Sequence, residues 1–219
     1  MKTNAIFIFS FLVVLLASCS NNNQAKPSKK TIPEKTVQNP KKTDTPSVFA
    51  IDSIKIQWTG FKYSNKTGVN GTFDKIKWQG FQEASSPAKC VAKTSFDIDV
   101  SSLNTGNPGR DKTIREYLFG KMMETNHIEG RITGIDEQNA AIKSVIRMNN
   151  TEVPVVFRYT DDGKALTAVG HIDLVKDFKA GEPLYFLHTA CEDKHRGKDG
   201  ISKTWPDVDL KAVIFYHKK

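Results

Sequence analysis

The feature that most restricts the fold of this chain is an alternation of apolar and polar side chains that recurs after residue 47. In residues 90–100 one set of alternate positions is small or apolar, and the other set is mostly polar. The first set is Cys90, Ala92, Thr94, Phe96, Ile98 and Val100. A period of two over this length indicates a β-strand with one buried face and one solvated face.

Similar alternation predicts seven further strands, so we expect eight in all. They cover about residues 48–59, 69–79, 128–136, 140–149, 152–160, 164–176 and 207–217. Turn-forming residues at 136–139, 149–150 and 161–163 lie between neighbouring runs, which predicts short antiparallel hairpins. The fold class is therefore all-β. Eight such strands can pack as a sandwich or close into a barrel, and the pattern does not choose between the two.

Two segments interrupt the alternation. Pro108 or Asp111 is placed to start a short helix after the third strand, because Ile114 and Leu118 follow at helical spacing. Residues 177–206 combine glycines and prolines with many charges, which predicts a long loop before the last strand.

The first nineteen residues have the order of a bacterial lipoprotein signal. The apolar run from Ala5 to Ala17 is too short to span a membrane comfortably, and Leu16-Ala17-Ser18-Cys19 then resembles a lipobox, in which the cysteine sulfur receives diacylglycerol. We expect residues 1–18 to be a signal peptide and Cys19 to be lipidated. Secretion with an incidental Cys19, or an uncleaved anchor, is the alternative. Ser20, where an aspartate would signal inner-membrane retention, favours the outer membrane facing the periplasm.

The charge distribution separates the N-terminal part from the domain that follows. Residues 19–46 contain almost no large apolar side chain, which predicts a disordered basic tether. A net charge of +8 is compatible with nucleic-acid binding, because clustered basic residues neutralise phosphates. Residues 1–46, however, hold seven lysines and two acidic residues, whereas residues 47–219 hold 25 basic and 22 acidic residues. We therefore expect no nucleic-acid binding. The tether either lies against anionic headgroups or is a soluble spacer.

Two stretches of the domain at residues 47–219 carry recognisable motifs. In the first, Gly68-Val69-Asn70-Gly71-Thr72-Phe73 precedes Trp78-Gln79-Gly80. In the second, Ser102-Leu103-Asn104-Thr105-Gly106-Asn107 is followed by Arg110-Asp111 and the short helix. These motifs resemble the YceI-like family of periplasmic, polyisoprenoid-binding proteins over roughly residues 48–217. The resemblance implies an eight-stranded antiparallel lipocalin-like barrel with an apolar tunnel for an isoprenoid or a similar amphiphile.

The sequence departs from the family pattern in three places. The hairpin at residues 147–154 lacks its leading glycine, the segment at 175–181 lacks an arginine, and residues 182–206 form a long insertion. The fold tolerates these departures, but the identity of the ligand does not transfer from the family to this sequence.

Inward-facing apolar side chains are the candidate tunnel lining, with plain core packing as the alternative for each of them. The set is Phe96, Ile98, Val100, Ile142, Ile146, Met148, Val153, Val155, Phe157, Leu166, Ile172, Leu174, Leu210 and Ile214. Trp58, Phe73 and Trp78 lie near predicted strand ends and form either the tunnel mouth or a buried aromatic cluster. Arg110 and Asp111 are expected to have a structural role at the helix start, with contact to a ligand headgroup as the alternative.

The histidines and cysteines raise two further questions. His188, Cys191 and His195 lie within eight residues, and zinc or copper accepts such ligands, although structural zinc sites usually show closer ligand pairs. An ordinary loop is the alternative. Cys90 and Cys191 either form a disulfide, which the periplasm permits, or stay free, since Cys90 falls on the inward face of its predicted strand.

Catalytic motifs do not occur in the sequence, since it has no nucleophile elbow, no H-E-x-x-H, no Walker loop and no dinucleotide fingerprint. We expect a binding protein rather than an enzyme, with a lipid as its ligand, the membrane as its partner through the anchor, and no cofactor beyond a bound isoprenoid-type lipid. A homodimer is left open. The alternative functions are a metal-binding or redox protein that uses His188, Cys191 and His195, and a scaffold or stress-response interaction module.

Overall fold

The alternating pattern folds into one antiparallel sheet of ten strands. The computed structural model describes residues 47–219, so the predicted signal peptide, the lipidation of Cys19 and the tether lie outside the described residues. The strands are β1 Phe49–Lys62, β2 Thr67–Phe73, β3 Ile76–Gln79, β4 Ser95–Asp99, β5 Leu103–Asn104, β6 His127–Asp136, β7 Ala141–Met148, β8 Thr151–Asp161, β9 Ala165–Asp173 and β10 Thr204–Lys218. The α-helices are α1 Pro87–Cys90, α2 Pro108–Tyr117 and α3 Gly181–Ala190, and 3-10 turns occupy Val100–Ser102, Phe119–Lys121 and Asp193–His195.

Two interrupted strands close this sheet into a barrel. The hydrogen-bonded order is β3-β4-β6-β7-β8-β9-β10-β1-β2-β5. β2 and β3 are consecutive halves of one run, of which the first pairs with β1 and the second with β4. β4 and β5 are likewise halves of one run, and β5 pairs with the end of β2. The ten strands are therefore eight runs in a ring, which confirms the predicted eight-stranded antiparallel barrel.

Ser102 bridges the two interruptions, which lie opposite each other. Its carbonyl oxygen accepts a hydrogen bond from the Asp74 amide at 3.0 Å, and its hydroxyl accepts one from the Lys75 amide at 3.0 Å. The Asp99 carboxylate starts the 3-10 turn by accepting from the Ser101 amide at 2.8 Å. Hydrogen bonding between the two runs thus continues across the bend.

The predicted strand at residues 90–100 is wrong in its first half. β4 begins only at Ser95, and Cys90 is instead the last residue of α1. The side chain of Ser86 caps this helix, and Pro87 occupies its first turn. This local start signal outweighs the alternation of the residues that follow it.

The predicted short helix is present as α2 and begins at Pro108, one of the two expected start residues. The side-chain oxygen of Asn107 accepts from the Arg110 amide at 2.9 Å, with Pro108 in the first helical turn. Asp111 does not cap the helix. Its carboxylate accepts from the Thr105 amide at 2.9 Å and so fastens the preceding turn to α2.

The segment before the last strand, predicted as a long loop, contains α3 and a 3-10 turn. Its glycines and prolines suggested irregular structure, but Gly181 and Pro183 lie in the first turn of α3, where both are compatible with a helix. Leu187 and Cys191 lie four residues apart and are buried in the main core cluster. The spacing of these two residues is typical of a helix, but the glycines, prolines and charges of the segment led to the prediction of a loop.

The two ends of the barrel are built differently. At one end, Ala88 of α1 and Val91 pack with Leu166 and Ile214, which closes the barrel. At the other end α3 contacts both α2 and β10, and Leu187 of α3 is buried in the main core cluster. Within residues 47–219 no helix combines the length and the apolar character needed to cross a membrane.

Candidate ligand-binding site

A cavity of about 520 Å³ occupies the interior of the barrel. Its wall consists mainly of apolar side chains on the inner faces of the strands. Trp58, Phe96, Phe157 and Leu210 lie on these inner faces and are nevertheless only half-buried, because the lumen between them is hollow. The volume lies within the range of about 300–1,000 Å³ that is typical of small-molecule sites.

Glycines opposite aromatic residues keep the lumen open. A Cβ atom on Gly71 would lie 2.1 Å from the ring of Trp58, its partner on β1. A Cβ atom on Gly130 would lie 2.2 Å from the ring of Phe96, its partner on β4. Each ring therefore lies against the bare backbone of the neighbouring strand, where a larger residue would push it into the lumen.

Ten of the fourteen predicted tunnel residues line the cavity. They are Phe96, Ile98, Ile142, Ile146, Met148, Phe157, Ile172, Leu174, Leu210 and Ile214. The other four do not line it, and the prediction is corrected for them. Val100 begins the 3-10 turn that interrupts its strand, Val153 and Val155 pack with the main core cluster, and Leu166 packs at the closed end.

Trp58, Phe73 and Trp78 also line the cavity, but they lie in its wall and not at its mouth. The indole nitrogen of Trp58 is buried, and Phe73 is buried with its ring edge-on to Phe119 at 6.2 Å between centroids. Trp78 packs against Phe96 with centroids 5.4 Å apart. Phe73 and Trp78 thus pack against other aromatic rings, whereas the ring of Trp58 lies against the backbone of Gly71.

The cavity opens between the start of α2 and the residues that follow α3. Asn107, Gly109 and Lys194 line it and are exposed to solvent. The half-buried polar residues of the same end are Lys62, Arg110, Thr113, His195 and Thr204. An amphiphile in this cavity can therefore keep its headgroup in a polar environment and its chain in the apolar lumen.

Arg110 and Asp111 meet at Thr105. The guanidinium of Arg110 donates from Nε to the Thr105 hydroxyl at 2.9 Å and from Nη2 to the Thr105 carbonyl at 3.0 Å. The same hydroxyl donates to the Asp111 carboxylate at 2.5 Å. This network fixes the turn between β5 and α2. It also holds Arg110, which lines the cavity, in a defined position.

The structure brings the two predicted imidazoles of the C-terminal segment to one hydroxyl group. Nδ1 of His195 lies 2.6 Å from Oγ1 of Thr204, and Nδ1 of His188 lies 3.2 Å from the same atom. Burial, together with the charges of Lys62, His188 and Lys194, lowers the pKa of His195 to about 4. His195 is therefore a neutral imidazole at pH 7.

Cys191 is buried beside these histidines, but the group does not form a metal site. Burial raises the pKa of the Cys191 thiol above its ordinary value, which disfavours the thiolate that metals bind. Across residues 47–219 no cluster of three or more His, Cys, Asp or Glu side chains has metal-binding geometry.

The alternative of a Cys90–Cys191 disulfide is wrong, because both cysteines are free and buried. Cys90 lies at the closed end, where its thiol donates to the Phe49 carbonyl at 3.2 Å. Cys191 follows α3 at the open end and lines the cavity there.

Two polar atoms in the cavity wall are buried without a hydrogen-bond partner among the described residues: Nε1 of Trp58 and Oγ1 of Thr94. An unpaired buried polar group costs about 1–3 kcal/mol, so a polar atom of a bound molecule would be stabilised next to either of them. The alternation placed Thr94 on the inner face, but sequence reasoning did not select it or Lys62. Lys62 lies on β1 at even spacing from Trp58 and Gly60, which is the signal that could have identified it.

A closed antiparallel barrel with a hollow apolar lumen and one polar opening has the architecture of a lipocalin-like barrel. Solved structures with this fold include the following two. A polyisoprenoid binding domain from Saccharophagus degradans, implicated in plant cell wall breakdown, matches with a TM-score of 0.51 and 12% identity, over 78% of this chain and 98% of that one. BcnA from Burkholderia cenocepacia matches with a TM-score of 0.50 and 15% identity, over 76% of this chain and 99% of that one.

The family follows from the sequence match. The model of the YceI-like domain matches residues 46–204, which is more than half of the chain. This protein therefore belongs to the YceI-like family, as the motifs at residues 68–80 and 102–111 indicated. No curated protein matches the chain significantly.

Proposed function

We propose that this protein binds a polyisoprenoid or a similar amphiphilic lipid and holds its chain in the barrel lumen. The observation that carries the proposal is the 520 Å³ cavity, which has apolar walls and opens at one polar end. Membership of the YceI-like family and the fold shared with a polyisoprenoid binding domain support the same ligand class.

Burial of the lipid chain would supply most of the binding energy. A chain of about 20 carbons gains at most ~16 kcal/mol, at about 0.8 kcal/mol for each buried CH₂ group. The efficiency of about 0.3 kcal/mol per heavy atom that is common for drug-sized ligands gives ~6 kcal/mol instead. Since the glycines opposite Trp58 and Phe96 keep the lumen preformed, little of this energy is spent on rearranging the protein.

Gently purified protein is expected to carry a long-chain lipid that organic solvent extracts. Native mass spectrometry should show a mass increment that disappears after extraction, and mass spectrometry of the extract should identify an isoprenoid or a similar chain. A mass equal to that of the polypeptide, together with no binding of added lipid by the extracted protein, would contradict the proposal.

We further propose that the protein is a lipoprotein of the bacterial envelope, anchored through Cys19 in the outer membrane and facing the periplasm. The lipobox at residues 16–19 and Ser20 support this proposal. The barrel would act as a carrier or store of lipid close to the membrane and not as an enzyme. In support, a buried Cys191 with a raised pKa is a poor nucleophile.

The Cys19→Ala variant is expected to move from the membrane fraction to the soluble fraction and to lose the mass of the acyl groups. The physical reason is that several acyl chains hold a protein on a bilayer, whereas the residues that remain would not. Fractionation and intact-mass measurement check the prediction, with Ser18→Ala as the control that keeps a small residue before the cysteine. Unchanged membrane association of Cys19→Ala, together with the absence of acyl mass from the unsubstituted protein, would refute the lipid anchor.

A further inference from the structure

The charged residues that line the open end of the cavity are all cations. Lys62, Arg110 and Lys194 line it at this end. No aspartate or glutamate of residues 47–219 belongs to the lining. The domain as a whole is nearly balanced, with 25 basic and 22 acidic residues, so the composition of the opening differs from that of the rest of the surface.

Among the described residues, no ion pair neutralises these three cations, whereas some other cations of the domain are paired. Lys89 forms an ion pair with Glu137 at 2.7 Å, and Arg131 forms one with Glu152 at 3.1 Å. In the part of the chain that the structure describes, Lys62, Arg110 and Lys194 form no ion pair. The ammonium of Lys62 lies 4.5 Å from the ring centroid of its neighbour Tyr63, and Arg110 uses only Nε and Nη2 on Thr105.

Two of the cations act on the same small region. Lys62 and Lys194 both lower the pKa of His195, and both oppose the effect of burial on the pKa of Cys191. Their ammonium groups are therefore close to the same end of the lumen, and the neutral His195 adds no charge there. A positive potential without carboxylates at the mouth of an apolar tunnel is complementary to an anionic headgroup.

We infer that the ligand is an anionic amphiphile, whose phosphate or carboxylate group is held at the opening by Lys62, Arg110 and Lys194 while its chain lies in the lumen. The inference rests on the proposed function, because it presupposes that a lipid chain fills the lumen. Phosphate and carboxylate share the chemistry that the site recognises, which is an oxyanion that accepts several charge-assisted hydrogen bonds.

Matched pairs of lipids test the headgroup separately from the chain. Geranylgeranyl monophosphate is compared with geranylgeraniol, and oleic acid with oleyl alcohol, by titration of tryptophan fluorescence on the full chain after lipid extraction. Trp58 and Trp78 line the cavity and report occupancy. We expect at least one anion to bind ~10-fold or more tightly than its alcohol. The pair with the larger ratio distinguishes a phosphate from a carboxylate.

The double variant Lys62→Met/Lys194→Met is expected to reduce this ratio to below ~3-fold while the affinity for the alcohols changes by less than ~2-fold. Arg110 is left in place because it also holds the turn at Thr105. The control is Lys77→Met/Lys143→Met, which removes two exposed lysines that do not line the cavity and should keep the ratio. Equal binding of anion and alcohol, or a ratio that survives in Lys62→Met/Lys194→Met, overturns the inference and leaves the proposed function intact. Failure of all four lipids to bind overturns both.

Discussion

Replacement of Gly130 by alanine is expected to weaken lipid binding by ~10-fold or more, whereas the free energy of unfolding falls by only ~1–2 kcal/mol. The new Cβ atom would lie 2.2 Å from Cζ of Phe96, so the ring has to leave the wall. The hollow lumen is the direction in which it can move. The displacement is therefore inexpensive for the fold but removes space from the ligand.

Fluorescence titration with geranylgeraniol and urea unfolding of lipid-free protein measure the two effects separately. Gly134→Ala is the matched control on the same strand, because its Cβ atom would meet nothing nearer than Cδ of Lys143 at 3.9 Å. The double variant Gly130→Ala/Phe96→Leu should recover part of the binding, since the shorter side chain leaves the lumen. Unchanged affinity in Gly130→Ala would contradict the assignment of the lumen as the binding site.

The barrel was predictable because its strands have one buried and one solvated face. The alternation located seven of the eight runs along most of their length, and the run at 69–79 proved to be interrupted between β2 and β3. The predicted run at 90–100 coincides only with β4, and β5 lies beyond its end. The predicted strand bounds were wrong where local hydrogen bonds compete with the hydrogen bonds between strands. Ser86 and Pro87 start a helix ahead of β4, and the Asp173 carboxylate ends β9 by accepting from the amides of Val175 and Lys176 at 2.9 and 3.0 Å.

The candidate site was predictable only where the strands build it. The alternation alone placed Phe96, Phe157 and Leu210 on the inner face of their strands, where they line the cavity. The alternation did not distinguish a residue that lines the cavity from a packed one such as Leu166, because both occupy inward-facing positions. Whether an inward-facing residue meets the cavity depends on where α1 closes the barrel. Arg110 and Lys194 belong to segments far apart in the sequence, and only the packing of α2 on α3 brings them to one opening. The sequence separation of Arg110 and Lys194 therefore does not predict that they lie at the same opening.

Phe178→Ala is expected to lower the free energy of unfolding by ~3–5 kcal/mol. Phe178 is 0% exposed and is the largest of the fully buried side chains in the described residues. It lies between β9 and α3, in the same core cluster as Leu174 and Leu187. Its carbonyl oxygen accepts from the side-chain amide of Asn149 at 2.7 Å, so the backbone around it is fixed while the ring is removed. A cavity in this position cannot collapse easily, which places the expected loss near the upper part of the range.

Urea unfolding of lipid-free protein is the appropriate measurement, because a bound ligand would add its own stabilisation to the folded state. Phe81→Ala is the matched control, since the ring of Phe81 is 42% exposed and its removal should cost less than ~1 kcal/mol. A loss below ~1 kcal/mol in Phe178→Ala would mean that the segment leading into α3 unfolds separately from the barrel. A loss in the expected range instead makes α3, and with it the polar opening of the lumen, part of the same cooperative unit as the strands. In that case the residues that contact the headgroup are held as firmly as those that line the lumen. A headgroup site that is already formed before the lipid binds requires this rigidity.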